Sequence, residues 1–457
     1  MSRSSSVLDA PGGRPSISAD RREASITLSI MNQVLKGYGA RDFTLRLWDG
    51  TTVPPDPGQD SRFTLVFNHP GVLRRMMLPP NEMALGEAYL DGYWDVEGDI
   101  VAAMRLGDCF EKIAMGPKEL VGLTRQIMAL PAVKDGEGNG KVVGRRRAKL
   151  TGGEHSKERD KQAISYHYDV GNDFFKLFLD RRMNYSCAYF PSGQEDLDAA
   201  QEAKLEHICR KLRLKPGERL LDIGCGWGGL IMYAAERFGV QALGISLSHP
   251  QVELANRRIA EASLSDRCKA VILDYRDLVE YGPFDKIVSV GMVEHVGRAK
   301  MGQYFEAAWQ GLRPGGLFLN HGISSAAKDA GASNPLDRYV FQRGAFLRKY
   351  VFPDGELMPI GEMLGYAERV GFEVRDVESL REHYALTLRH WVQRLEANRE
   401  SALRLTDLRT YRVWRLYMAG CSHAFTTARL SVHQSVLAKP DRDGSCCHPM
   451  SRADIYR

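Results

Sequence analysis

Nowhere in the 457 residues do about 18 apolar residues run together, so no membrane-spanning helix is expected. The opening stretch, MSRSSSVLDAPGGRPS, has no apolar core and does not read as a secretion signal. Charge of one sign is also scarce. A net charge of +5 over this length does not mark a nucleic-acid binder, and no nucleic-acid partner is expected. Cysteine is sparse and irregular, with eight residues at 109, 187, 209, 225, 268, 421, 446 and 447. That pattern argues against a disulfide framework and for free thiols in a reducing compartment. Cys446, Cys447 and His448 stand together only in a polar tail and are not read as a metal site. No internal repeat is found. What remains is a cytoplasmic chain of two or three domains, with 44% hydrophobic residues for its cores and only peripheral contact with any membrane.

The residues that are present fall into blocks. Residues 1–24 are Ser, Pro, Gly and charge and read as disordered. Residues 25–118 read as a small α+β module, with strands at Thr44–Trp48 and Phe63–Phe67 and helical stretches at Gly71–Met77 and Glu82–Leu90. Residues 119–161 begin with a helical segment and continue as KDGEGNGKVVGRRRAKLTGGEHSKERD, where apolar periodicity vanishes; this reads as a flexible basic linker. Arg145, Arg146 and Arg147 within it fit either a solvated loop or a contact with anionic lipid. From 162 to 440 strands alternate with helices: Arg219–Ile223, Leu230–Phe238, Ala242–Ser246, Pro250–Ala262, Ala270–Leu273, Lys286–Val290 and Leu317–Asn320. The rhythm predicts an α/β fold with a doubly wound, mostly parallel sheet, and such sheets bind ligands outside the carboxyl ends of their strands. Residues 441–457 read as a disordered tail.

The stretch LDIGCGWGGL, residues 221–230, carries the strongest local signal. Gly224, Gly226 and Gly229, with Gly228 between, satisfy GxGxxG at a strand-to-helix junction. Nicotinamide enzymes share this pattern, but they place an acid about 20 residues on, at the second strand end. Here that end is Gly244-Ile245-Ser246, which offers only hydroxyls. Asp222, ahead of the first glycine, can face a positively charged cofactor tail. S-adenosylmethionine, with an amino-acid tail, a sulfonium and no phosphates, fits better. Asp274 and Tyr275, ending the third strand, are placed for the adenine edge and face. Ser246 also fits a plain helix N-cap. Further on, SVGMVEHVG (289–297) sets Glu294 at the mouth of an apolar strand, where a helix-dipole role is the simpler alternative.

YHYDVGNDFF (166–175), NYSCAYF (184–190), LDIGCGWGGL, LDYRDL (273–278), SVGMVEHVG, HGI (321–323) and HYALTL (383–388) follow one another in an order that resembles the cyclopropane-fatty-acyl-phospholipid synthases and mycolic acid cyclopropane synthases. The resemblance implies a Rossmann-like class I S-adenosylmethionine-dependent methyltransferase sheet with helices on both faces. It implies methylene transfer from S-adenosylmethionine to the cis double bond of an unsaturated membrane phospholipid chain, by methyl transfer, carbocation formation and proton loss to a bound bicarbonate. Matched by motif, Cys187, Glu294, His321, the Ile323 backbone and the Tyr384 hydroxyl surround that anion. Tyr185 and Ser186 match cofactor contacts, as do Ser246 (often Thr in relatives) and Gln251. Cys421, in YMAGCSHAF, matches a cysteine sometimes proposed for the active site, although the chemistry requires no covalent intermediate. Asn320-His321-Gly322-Ile323 departs from the usual Leu-His-Thr-Ile. His295 is read as structural. GEAYLDGYWD (86–95) resembles the end of the N-terminal domain in longer family members, with a lipid-docking role and peripheral contact with the anionic inner face of the cell membrane as the expectation; the sequence leaves the oligomeric state open, and the family resemblance suggests a homodimer. A methyl- or methylene-branched product is the alternative outcome.

Overall fold

Buried Ala24, Thr27, Ile30, Met31 and Val34, three or four residues apart, give the segment Ile17–Val34 one apolar face, and it folds as a helix, α1. The expectation of disorder up to residue 24 is therefore corrected from Ile17 onward. The computed structural model describes residues 17–111, 116–133, 148, 150–168, 170–326, 344–446 and 448–456, and divides into two units, 1–141 and 142–457. The first unit builds a four-stranded sheet from β1 (Thr44–Arg46), β2 (Thr52–Val53), β3 (Phe63–Phe67) and β4 (Trp94–Gly98), in the order β2-β1-β3-β4. Phe43 and Phe63 stack at 4.9 Å in its core. Helices α2 (Val72–Met77) and α3 (Glu82–Leu90) follow β3, and α4 (Pro117–Ala129) closes the described part of the unit. Asn81 caps α3 by accepting from the Ala84 N–H at 2.8 Å.

The second unit starts earlier than the linker reading allows. Lys157–Tyr168 is a helix, α5, tied down by Lys157 on Asp277 at 2.7 Å and by Arg159 on Asp354 at 2.5 Å. Arg145, Arg146 and Arg147 lie outside the described residues. The central sheet takes β5 (Arg219–Ile223), β6 (Gln241–Ser246), β7 (Cys268–Ile272), β8 (Phe284–Val290), β9 (Leu312–Ser325), β10 (Glu373–Ser379) and β11 (Leu430–Ala438). Their order is β10-β11-β9-β8-β5-β6-β7; β5 to β9 pair in parallel, and β11 and β10 add an antiparallel edge that the alternation pattern did not reveal. The labelled helices here are α6 (Leu197–Leu212), α7 (Gly229–Phe238), α8 (His249–Glu261), α9 (Met301–Gly311), α10 (Ile360–Val370), α11 (Arg381–Ala397) and α12 (Leu408–Thr426).

Two cores sandwich this sheet. Leu220, Leu319 and Val436 pack with Leu205, Ile208 and Ile231, whereas Leu221, Ile223, Phe318 and Leu437 pack with Tyr304 and Phe305. Because successive strand residues point to opposite faces, Asp222, His321 and Gln434 fall on the first face, the one α6 covers. The tail is not the loose end that its polarity suggested: Ile455 is buried, and Asp454 pairs with Arg213 at 2.8 Å. A Cβ on Gly244 would lie 2.7 Å from Cys225 and 2.8 Å from Ile231, so the loop after β5 sits flat on β6 only because residue 244 is glycine. Among the described residues no helix is long and apolar enough to cross a membrane.

Candidate active site

The glycine loop turns at the carboxyl end of β5. Gly224, Gly226 and Gly228 have φ of +87°, +53° and +82°, which side chains with a Cβ rarely adopt. The N–H groups of Gly224 and Cys225 donate to the Ile245 carbonyl at 2.9 and 3.0 Å, locking the loop onto the neighbouring strand. A Cβ on Gly229 would stand 2.7 Å from Asn184 Oδ1, so this glycine lets the 184–187 segment, with Tyr185 and Ser186, close on the start of α7. Asp222 is 2% exposed and its Oδ1 has no partner. Burial pushes its carboxyl up to about 7, opposed by the Lys204 ammonium.

At the next strand end Ser246 Oγ and Gln251 Oε1 are joined at 2.9 Å, so these two candidates do meet. The N-cap of α8 is Ser248, not Ser246. Asp274 is less free than expected for an adenine contact: its carboxylate takes Arg276 Nε and Nη2 at 2.7 and 2.6 Å. Tyr275 is buried with its ring 5.6 Å from Tyr304, edge to face.

Beyond β8, a short 3₁₀ turn, Val293–His295, carries Glu294. Its Oε1 accepts the Ile323 N–H at 2.7 Å, while Oε2 is buried with no partner. Burial lifts this carboxyl to about 7, with the Ile323 bond pulling the other way. The Ile323 N–H, expected to face the anion, is thus already engaged by Glu294. His321 is fully desolvated and held well below the usual imidazole range, hence neutral. Gln434 stands directly opposite it in the β9–β11 register and places Nε2 3.2 Å from His321 Nδ1. With the amide donating there, Nε2 carries the imidazole proton, and that atom has no partner. Among the described residues no hydrogen bond joins Glu294 to His321. Burial depresses His295 to about 4, and its ring packs 5.9 Å from Phe352, in keeping with a structural residue.

Tyr384, on α11, is buried; burial pushes its hydroxyl well above the ordinary phenol range, and its ring meets Trp391 edge to face at 6.1 Å. Cys187 is buried with Sγ 3.2 Å from the Ala188 carbonyl, and burial pushes its thiol up, away from the thiolate. Around these groups stands an aromatic wall. Tyr185 stacks on Trp391 at 5.1 Å and on His167 at 5.5 Å, and Tyr384 meets Phe425 at 4.6 Å. The Tyr185 and Tyr417 hydroxyls lie 2.9 Å apart. Gln434, Lys204 and Trp391, which touch the candidates His321, Ser186 and Tyr185, were passed over by sequence reasoning. Gln434 could have been sought only through the register of a strand that no pattern announced.

Two outcomes are expected. With a folded pKa of about 7 against 4.5, Glu294 in the folded protein keeps a proton that the unfolded chain has released. The resulting stability is complete below about pH 4.5 and lost as pH rises through about 7. Relative to Glu294→Gln, the wild type should therefore lose up to ~3 kcal/mol across that window in urea unfolding; parallel curves would contradict the assignment. Gln434→Leu should leave His321 in mixed tautomers by nitrogen NMR and slow turnover about tenfold or more. A single Nε2–H tautomer in that variant would remove Gln434 from this role.

Comparison with known proteins places this geometry. The family model for mycolic acid cyclopropane synthetase matches residues 155–435, and a domain model of unknown function matches residues 30–106. A probable fatty acid methyltransferase of Pseudomonas putida is 41% identical over 90% of this chain and 96% of its own. The cyclopropane-fatty-acyl-phospholipid synthase of Escherichia coli K12 is 33% identical over 81% and 86%. A mycolic acid cyclopropane synthase solved with SAH and CTAB superposes with a TM-score of 0.57 at 33% identity, covering 61% of this chain and 97% of that one. The sheet, the glycine loop and these matches agree: the chain belongs to the mycolic acid cyclopropane synthetase family of S-adenosylmethionine-dependent methyltransferases.

Proposed function

We propose that the chain transfers a methylene unit from S-adenosylmethionine to the cis double bond of an unsaturated phospholipid acyl chain, giving a cyclopropane ring. The supporting observation is a pair of buried polar atoms without partners among the described residues, Glu294 Oε2 in the turn after β8 and His321 Nε2 on the adjacent parallel strand β9. Attack of the alkene on the sulfonium methyl forms one C–C bond, breaks the C–S bond and leaves a carbocation on the acyl chain. Ring closure then needs a proton to leave the transferred methyl. A bicarbonate, when bound, would supply the base for that proton, and the donors available fit such an anion. Glu294 can be protonated near neutral pH and so donate to an anion instead of repelling it. His321 offers Nε2–H, and Tyr384, kept as a neutral phenol by burial, offers its hydroxyl. Ile323 acts one step back, orienting Glu294. The packed rings of Tyr185 and Trp391 exclude water from this part of the protein.

The Pseudomonas putida relative, named as a probable fatty acid methyltransferase, favours a second outcome. There the cation would shift by hydride migration and lose a different proton, leaving a methyl or methylene branch. Expression in a host lacking the activity, followed by mild hydrogenation of the lipids, separates the two. A product heavier by one CH₂ that takes up no hydrogen is expected; one that takes up hydrogen would overturn ring formation.

The same reading makes this a cytoplasmic enzyme that meets the inner face of the membrane through its first unit. Helix α4 exposes Leu120, Val121 and Met128 by 53, 52 and 52%, with Lys118 and Arg125 on the same helix to meet anionic headgroups. Leu120→Asp with Met128→Asp should cut co-sedimentation with phosphatidylglycerol vesicles several-fold. Undiminished binding would remove α4 from this contact.

A further inference from the structure

Helix α6 buries two lysines two turns apart, and their surroundings differ. Lys211, fully buried, reaches Glu378 at 2.5 Å and Asp376 at 3.6 Å, so its charge is balanced inside the protein. Lys204, 2% exposed, has one hydrogen-bond partner, Ser186 Oγ at 3.0 Å, and no carboxylate pairs with it among the described residues. Among the described residues, two of its three ammonium hydrogens have no acceptor. A buried charge in that condition is costly, and burial pushes its pKa down to about 8. Two carboxyl groups offset this in part without pairing with it. Asp180 bears on it most strongly but is occupied by the Asn184 N–H at 2.7 Å, Asn184 Nδ2 at 2.9 Å and the Arg182 N–H at 2.9 Å. Asp222 also bears on it, yet the two do not pair, and Asp222 Oδ1 has no partner either.

The pieces around this pair all belong to the cofactor end of the site. Ser186 lies in the segment that Gly229 admits to the glycine loop. Gln201, one turn before Lys204, donates to the Ser186 carbonyl at 2.9 Å, so α6 grips that segment with two side chains. Strand alternation puts Asp222 on the face that α6 covers. A buried ammonium and a buried carboxyl thus bear on each other without forming an ion pair. A zwitterion satisfies both. We propose that Lys204, with Ser186, binds the α-carboxylate of S-adenosylmethionine while Asp222 receives its α-ammonium. This inference rests on the cosubstrate site described above and adds to it the residue that recognises the carboxylate.

Calorimetric titration with S-adenosylhomocysteine and with its decarboxylated analogue, which keeps the amine and thioether, tests the assignment. Wild type should prefer the intact ligand by about tenfold or more. Lys204→Met should lose about that factor for S-adenosylhomocysteine and bind the decarboxylated analogue within about twofold of wild type. Lys204→Arg, which keeps a cation, should retain most of the preference. An equal loss for both ligands, or none for either, would overturn the proposal and leave Lys204 as a clamp on the 184–187 segment. If Lys204→Met does not fold, the wild type still decides, because equal affinity for the two ligands overturns the proposal. Wild type that binds neither ligand would instead overturn the cosubstrate site itself, a result distinct from selective failure at Lys204.

Discussion

One backbone hydrogen bond governs the reacting half of the site: the Ile323 N–H on Glu294 Oε1, at 2.7 Å. It joins the turn after β8 to the far end of β9 and pins one carboxyl oxygen. The other oxygen is left buried and without a partner. A buried polar atom in that state costs roughly 1–3 kcal/mol, and His321 Nε2 is a second such atom on the adjacent strand. The packed cores on both sides of the sheet hold these groups in place, since turning either toward a partner would open the interior. Stability is given up locally so that donors are already oriented when a ligand arrives.

The period of two in the strands decides which groups can cooperate. Leu220, Leu319 and Val436 belong to one core, so Asp222, His321 and Gln434 share its face. Antiparallel β11 is what places Gln434 opposite His321; a sheet of parallel strands alone would end at β9 and leave that imidazole without its tautomer-setting neighbour. The edge of the sheet is thus part of the chemistry as well as of the fold.

Much of this was legible in the residues. The glycine loop and the parallel strands follow from local pattern, because turn geometry and alternation are set within a few neighbours. Five things were not. Ile17–Val34 hides its apolar stripe among polar residues beside a Ser-rich start, and Lys157–Tyr168 looks like linker because its anchors, Asp277 and Asp354, lie far along the chain. Ile455 is buried at the end of a polar tail. The occupation of the Ile323 N–H by Glu294 joins residues 29 apart and has no signature in either segment. Lys204 reads as one more charge on an amphipathic helix until burial shows that it lacks a counter-ion.

The phenols of the wall have a bearing on how long the catalyst survives. A reaction that passes through a carbocation can alkylate whatever nucleophile it meets, and a phenolate beside it would be converted to an aryl ether. Burial holds Tyr384 and Tyr417 in their un-ionised form well past ordinary alkaline pH, and the Tyr417 oxygen is also occupied by the Tyr185 hydroxyl. In the proposed reaction, neither of these two phenols would meet the intermediate as a phenolate. Un-ionised phenols would then help one protein molecule to act repeatedly instead of being consumed by its own intermediate.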